Sequence, residues 1–375
     1  MKKRRILSLM TAAALLVSLL GSCGMKAGET SEEVSSAMES SASSEVSRVS
    51  SEPSSEVSEV SEEPQIDLGP CNPLTGELDY PEEALGKRPV AVMVNNIGQA
   101  LPQRGLAAAD LIYEVVTEGG ITRLMAVYAN PDEIPYVGPV RSVRHYYVAM
   151  ALPFDPIFVH FGGSPAGYSY IADLGVDDVD GMNYTSAFYQ DTWRAAQYGR
   201  EHSFFIDGEN IAAVAEKRGY ETEGEPLPLF DFAVEPLEPE TTDAARVFVP
   251  FSSGYNAEFT YQPDTGLYTK KRNGADHIDA DTKEVLTFTN VLILYTSVTA
   301  YNGEAQRREV ALQGGSGWYV TAGGRYAIKW SKGASANQFS FTLEDGTLLE
   351  ANRGKTYICV TDSSNAANTV FTAAE

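Results

Sequence analysis

Three textures of hydrophobic and polar positions follow one another along the chain. The middle one mixes two periods. In KRPVAVMVNN (87–96), Pro89 to Val94 form an unbroken apolar, β-branched run, the pattern of a buried strand. DLIYEVVTEGGITRLMAVY (110–128) predicts two strands, Leu111–Thr117 and Thr122–Tyr128, joined at Gly119 and Gly120. Residues 140–152 place Val140, Val143, Tyr147, Val148 and Leu152 at a helical period. DPIFVHFGGSP (155–165) reads as a strand running into a glycine turn. Ser164 then caps a short helix over 164–175 with Pro165 at its first position, and a helix over 207–220 starts at Asp207 and stops at Gly219. Strands and helices alternate, so residues 67–225 predict an α/β or α+β domain.

The texture changes after residue 225. Residues 226–244 are rich in proline and acid and read as a linker. From Ala245 onward, short β-rich runs are broken by Gly, Asp and Asn, with turns at 263–266 and 344–347. Residues 245–375 therefore predict an all-β domain, a sandwich or open barrel. Trp318, Tyr319, Tyr326 and Trp330 within it suit either a core or a sugar-stacking surface.

The first texture is not globular. Lys2, Lys3, Arg4 and Arg5 precede an apolar run from Ile6 to Leu20, too short for a comfortable membrane span. LLGSC follows, which fits a lipoprotein cleavage site, so residues 1–23 predict a signal peptide and Cys23 a lipid-modified end. Residues 24–66, dominated by Ser and Glu, lack the apolar content to offset their ordering entropy and predict a disordered tether.

The chain has 375 residues, 51 of them acidic against 28 basic, for a net charge of −23. That balance argues against nucleic acid as a partner. Beyond Cys23 there are only Cys71 and Cys359, which leaves a disulfide and two separate thiols both open and gives no metal-ligand spacing.

Against this acidic background, GPVRSVRHYY (138–147) sets Arg141 and Arg144 at helical spacing with His145 beside them. A helix start already carries partial positive charge, so two guanidiniums there need an anion. The partner is either internal, Glu114 or Glu118 from YEVVTEGG, or a bound carboxylate or phosphate. As strand residues four apart, the two glutamates share a face at ~13 Å, too far for a paired-carboxylate glycosidase, and read better as partners of Arg123, Arg141 or Arg144. VHFGGSP offers His160 and Ser164, the latter as nucleophile, loop ligand or helix cap; REHSFF adds Arg200 and His202. No HExxH or H-x-x-x-H pattern is present, so neither a metal nor another cofactor is expected.

RPVAVMVNN, AAADLIYEVVTEGGITRLMAVY, VGPVRSVRHYY and VHFGGSP, with NVLILYTSV and GKTYICVT further on, together resemble the DUF3048 family, the YerB-like bacterial lipoproteins, over roughly residues 70–365. The resemblance implies an exported lipoprotein of two-domain build and assigns no chemistry. The expectation is a membrane-anchored extracytoplasmic protein that binds an anionic envelope ligand, such as a cell-wall fragment or peptide. Arg141, Arg144, His145, His160, Ser164, Arg200 and His202 would form the site, supported by Glu114 and Glu118. The alternative is an envelope hydrolase or transferase using the same cleft. The two part on geometry, because catalysis needs a base within hydrogen-bond reach of a nucleophile or water.

Overall fold

The computed structural model describes residues 69–374; the predicted signal peptide, Cys23 and the tether lie outside them. The N-terminal region mixes helices and strands, and the C-terminal region consists mostly of strands.

Strand β1 (Val90–Asn95), β2 (Leu111–Val116) and β3 (Thr122–Tyr128) form where the apolar runs predict them. β4 (Ile157–His160) and β5 (Asp178–Asp180) follow. β3 pairs antiparallel with both β1 and β2, whereas β1, β4 and β5 run parallel side by side. Every residue of β1, β2 and β3 is buried. A strand covered on both faces needs apolar side chains at every position, which is why these runs do not alternate.

Strands from the C-terminal region extend the same sheet. Residues 356–362 pair in parallel with β2 on one side and with 290–296 on the other, and 314–321, 324–332 and 339–343 continue outward. The result is a ten-stranded sheet. The other C-terminal strands build a second sheet of six, centred on 246–252, 255–262 and 267–272. Residues 246–252 alternate buried positions with less buried ones, as a strand covered on one face should. Val247, Val249, Phe259, Tyr268 and Phe288 of this second sheet pack on Ile112, Leu124, Val291 and Tyr357.

The opposite face of the large sheet carries Met93, Tyr113, Val115 and Met125, covered by Tyr146, Tyr147 and Met150 of helix α1 (His145–Ala151). Helices α2 (Pro165–Leu174), α3 (Thr192–Tyr198) and α4 (Gly208–Arg218) complete the N-terminal region. Ser164 caps α2 and Asp207 caps α4, with Gly175 and Gly219 in the left-handed conformation at the far ends.

Two expectations meet a different arrangement. The predicted helix over 140–152 starts only at His145. The preceding residues are extended: Arg141 donates its N–H to Met93 O (2.8 Å) and accepts from Phe161 N–H (3.1 Å), while Val143 donates to Gly162 O (3.0 Å). These sheet-like bonds, flanked by Pro139 and two valines, outcompete a helical turn for the same backbone groups. The expected linker is packed as well. Leu229 and Phe230 are buried, Phe230 lies against Tyr319 and Phe341, and Asp231–Phe232 pair with Glu350–Ala351. Tyr319 and Trp330 are core residues, and Cys71 and Cys359 are free thiols. No helix among the described residues is long and apolar enough to cross a membrane.

Candidate functional site

Beyond the carboxyl ends of the parallel strands β1, β4 and β5 lies a cleft of about 530 Å³. In sheets of this kind, ligands bind at that edge because loops diverge there. Arg141 comes from the extended segment wedged between β1 and the turn after β4, and Phe161, Gly162 and Gly163 from that turn. Met182 follows β5, Tyr168 comes from α2, and Arg200, Glu201 and Phe204 from the turn after α3.

Extended backbone at 141–143 separates the two arginines, so that Arg144 finds a carboxylate and Arg141 does not. Arg144 Nε binds Glu118 Oε1 and its Nη1 donates to Val143 O at 2.7 Å. Arg123 Nη2 stands 3.7 Å from the other Glu118 oxygen, and its Nη1 donates to Ser142 O at 2.5 Å. Burial and the neighbouring Arg144 bring the Arg123 guanidinium down to about 10. Glu118 is consumed by this pairing, and its two arginines hold its carboxyl below the usual range in spite of the burial that opposes them. Arg141 makes no side-chain hydrogen bond and no ion pair among the described residues. Burial, set against the pull of Glu201, lowers its pKa. A partly buried guanidinium that lines a cleft without a partner is poised for an anion.

Glu114 is no part of this site. It lies on the opposite face of β2, fully buried, and accepts from Asn96 (2.9 Å), Thr122 (2.7 Å) and the Tyr357 hydroxyl, with Lys270 Nζ at 3.7 Å. The shared face expected for Glu114 and Glu118 fails because β2 ends at Val116 and Glu118 begins a 3₁₀ turn.

The histidines disperse. His145 stacks among Tyr146, Tyr170 and Tyr301 and meets Glu309 at 3.0 Å, away from the cleft. His160 is fully buried beneath the turn, with Nδ1 2.9 Å from Gly162 O and Nε2 3.1 Å from Asp178. His202 holds Asn95 Nδ2 at 2.8 Å, and burial, reinforced by the charge of Arg141, lowers its pKa. With both His160 nitrogens engaged and His202 in a separate network, neither is placed to serve a nucleophile at Ser164. Ser164 Oγ accepts from Gly167 N–H at 3.0 Å as a cap. Among the described residues no His/Cys/Asp/Glu group is placed to hold a metal.

Residues 74–221 match the family described as protein of unknown function (DUF3048), N-terminal domain, and residues 247–358 match its C-terminal domain. The chain belongs to the DUF3048 family. It is 31% identical over 301 residues to the Bacillus subtilis (strain 168) protein named "Putative lipoprotein YerB", covering 79% of this chain and 87% of that one. The crystal structure of YerB protein from Bacillus subtilis superposes with a TM-score of 0.72 at 28% identity, over 81% of this chain and 100% of that one. Both the mixed N-terminal region and the β-rich C-terminal region of this DUF3048 protein therefore have a solved counterpart.

Three residues of the DUF3048 cleft carry weight that their sequence context did not reveal. Asp180 binds the Gly162 and Met182 N–H groups (2.9 Å each) through one oxygen and the Tyr168 hydroxyl (3.0 Å) through the other, tying the cleft's floor together. Tyr168 lies inside a helix pattern with nothing to mark it. Glu201 lies between Arg200 and His202 in REHSFF, and its sequence context does not mark it as a site residue.

Proposed function

We propose that this protein is a lipid-anchored, extracytoplasmic binding protein that takes an anionic group at Arg141. The anchor rests on the basic start, apolar run and LLGSC motif ending at Cys23, and on the similarity to a protein named as a lipoprotein. The binding reading rests on one observation: Arg141 lines the cleft unpaired while Glu118 occupies its neighbours Arg123 and Arg144. Arg200 adds a second positive group to the same wall.

The full-length chain provides the test: Cys23→Ser should abolish incorporation of labelled fatty acid, and the chain so altered serves as the titrant. Phosphate, sulfate and N-acetylated short peptides are titrated by calorimetry. Loss of one charged hydrogen-bonding group typically removes about 1.5–3 kcal/mol, so Arg141→Ala should weaken binding roughly 10- to 100-fold. No saturable binding by any of these anions, or equal binding by the variant, overturns the reading. No fatty-acid incorporation by the unaltered chain, or equal incorporation by Cys23→Ser, overturns the anchor.

A further inference from the structure

The cleft presents both signs of charge without letting them meet. Glu201 lies in the same wall as Arg141 and Arg200, yet forms no ion pair with either within 4.0 Å. The nearest basic atom to its carboxylate is His202 Nε2 at 3.7 Å. The carboxyl of Glu201 is lowered first by its own backbone N–H, then by His202 and Arg141. Arg141 and Glu201 therefore line one cleft with their charged atoms more than 4.0 Å apart. In water the attraction at 4 Å is only about 1 kcal/mol and is offset by side-chain entropy, so both charges stay available to a ligand.

The residue before the turn that carries Glu201 is Gly199, whose φ of +99° an L side chain rarely adopts. A Cβ there would come within 2.8 Å of Glu201 Oε2, so the glycine makes room for the carboxylate to fold back. Arg200 is drawn away over the Phe204 ring (5.2 Å), and Phe204 stacks on Phe161 with centroids 4.4 Å apart. Both rings line the cleft and give it an apolar wall. A polyanion would meet repulsion from Glu201 and from a chain of net charge −23. A simple cation would meet Arg141 and Arg200. At about 530 Å³ the space lies within the range of small-ligand sites and exceeds what a lone inorganic ion fills.

We infer that the cleft binds an amphoteric ligand, an amino acid or short peptide, with its carboxylate on Arg141, its ammonium on Glu201 and its side chain against Phe161 and Phe204. This rests on the reading of Arg141 as the anion site and adds the chemical class of what binds there.

The experiment uses the Cys23→Ser chain and three matched libraries of free amino acids and dipeptides: unmodified, N-acetylated and C-amidated, with bound species read by affinity selection and mass spectrometry. The unmodified library should bind about tenfold more tightly than the N-acetylated one, and the C-amidated library should not be retained. Glu201→Gln should erase the difference between the first two while leaving N-acetylated binding intact, which also reports that the variant is folded. Equal binding of unmodified and N-acetylated ligands by the unaltered Glu201 chain, or an unchanged ratio in Glu201→Gln, overturns the inference. If N-acetylated ligands still depend on Arg141 in that case, the anion site stands alone. C-amidated ligands binding as well as free ones would remove both.

Discussion

At the scale of single residues, charge is distributed by burial. Glu118, partly exposed, satisfies two arginines at the cleft's margin, whereas Glu114 and Lys270 are fully buried where the two sheets face each other. A buried pair of that kind is tolerated only when its remaining lone pairs and protons are used. Lys270 donates to His277 Nδ1 (3.1 Å), so the ring proton sits on Nε2 and donates to Gln103 Oε1 (2.9 Å). Gln103 in turn donates to Asn96 Oδ1 at 3.1 Å, and Asn96 to Glu114 at 2.9 Å, closing a ring of buried polar groups. Burial, with the charges of Lys270 and Arg272, drives the His277 pKa well below its ordinary value. The consequence has a definite sign. Below the unfolded histidine pKa of about 6.5, the unfolded chain binds a proton that the folded chain refuses, so stability falls as the pH drops from there. His202 acts in the same direction. Asp110, raised by burial to about 6, acts in the opposite one, adding stability as the pH falls from 6 toward the ordinary carboxyl value. Urea unfolding at pH 7.5, 6.5 and 5.5 should show His277→Gln losing less stability on acidification than the parent, by up to about 1.4 kcal/mol per pH unit below 6.5. Parallel pH profiles for the two chains would show that His277 is protonated in the native state.

At the scale of elements, the apolar runs that became β1, β2 and β3 were legible because a strand buried on both faces leaves an unbroken signature. The caps at Ser164 and Asp207 and the glycine stops of α2 and α4 were legible for an equally local reason: they answer backbone groups within one turn. GPVRSVRHYY predicts a helix wrongly because Val140, Val143 and Tyr147 fit a helical period as well as a segment whose bonds go to β1 and the 161–163 turn, residues distant in sequence. The site suffered the same blindness. Arg141 and Glu201 share a cleft only through the order of β1, β4 and β5, and local pattern does not encode that order. Ser164 allows the two readings of its position to be separated. As a cap it contributes about 1 kcal/mol, so Ser164→Ala should lower unfolding stability by roughly that amount and leave ligand affinity unchanged. A drop in affinity at unchanged stability would return Ser164 to the binding site.

At the scale of the whole molecule, the two textures of the sequence converge on one sheet. Residues 356–362 lie between β2 and 290–296, so the last long strand of the chain supplies a hydrogen-bonding neighbour to one of the first. The Glu114–Lys270 pair and the packing of Val247, Phe259 and Phe288 on Ile112 and Leu124 cross between the same two regions. Without its C-terminal half, the N-terminal half would expose the edge of β2, strip Glu114 of Tyr357 and Lys270, and uncover Ile112 and Leu124 where the second sheet packs. An unpaired, apolar edge strand invites association, and the uncovered apolar face loses the burial that stabilises it. Folding therefore has to be cooperative across the two family-matched segments, even though the sequence changes character between them. Residues 69–225 and 226–374, expressed separately, should each fail to give a sharp thermal transition by circular dichroism, and should bind a hydrophobic dye or aggregate. Co-expressed, they should purify together and melt as one. A cooperative, monomeric transition from 69–225 alone would show that the N-terminal region closes its own core, and that the cleft around Arg141 can form without the strands beside β2.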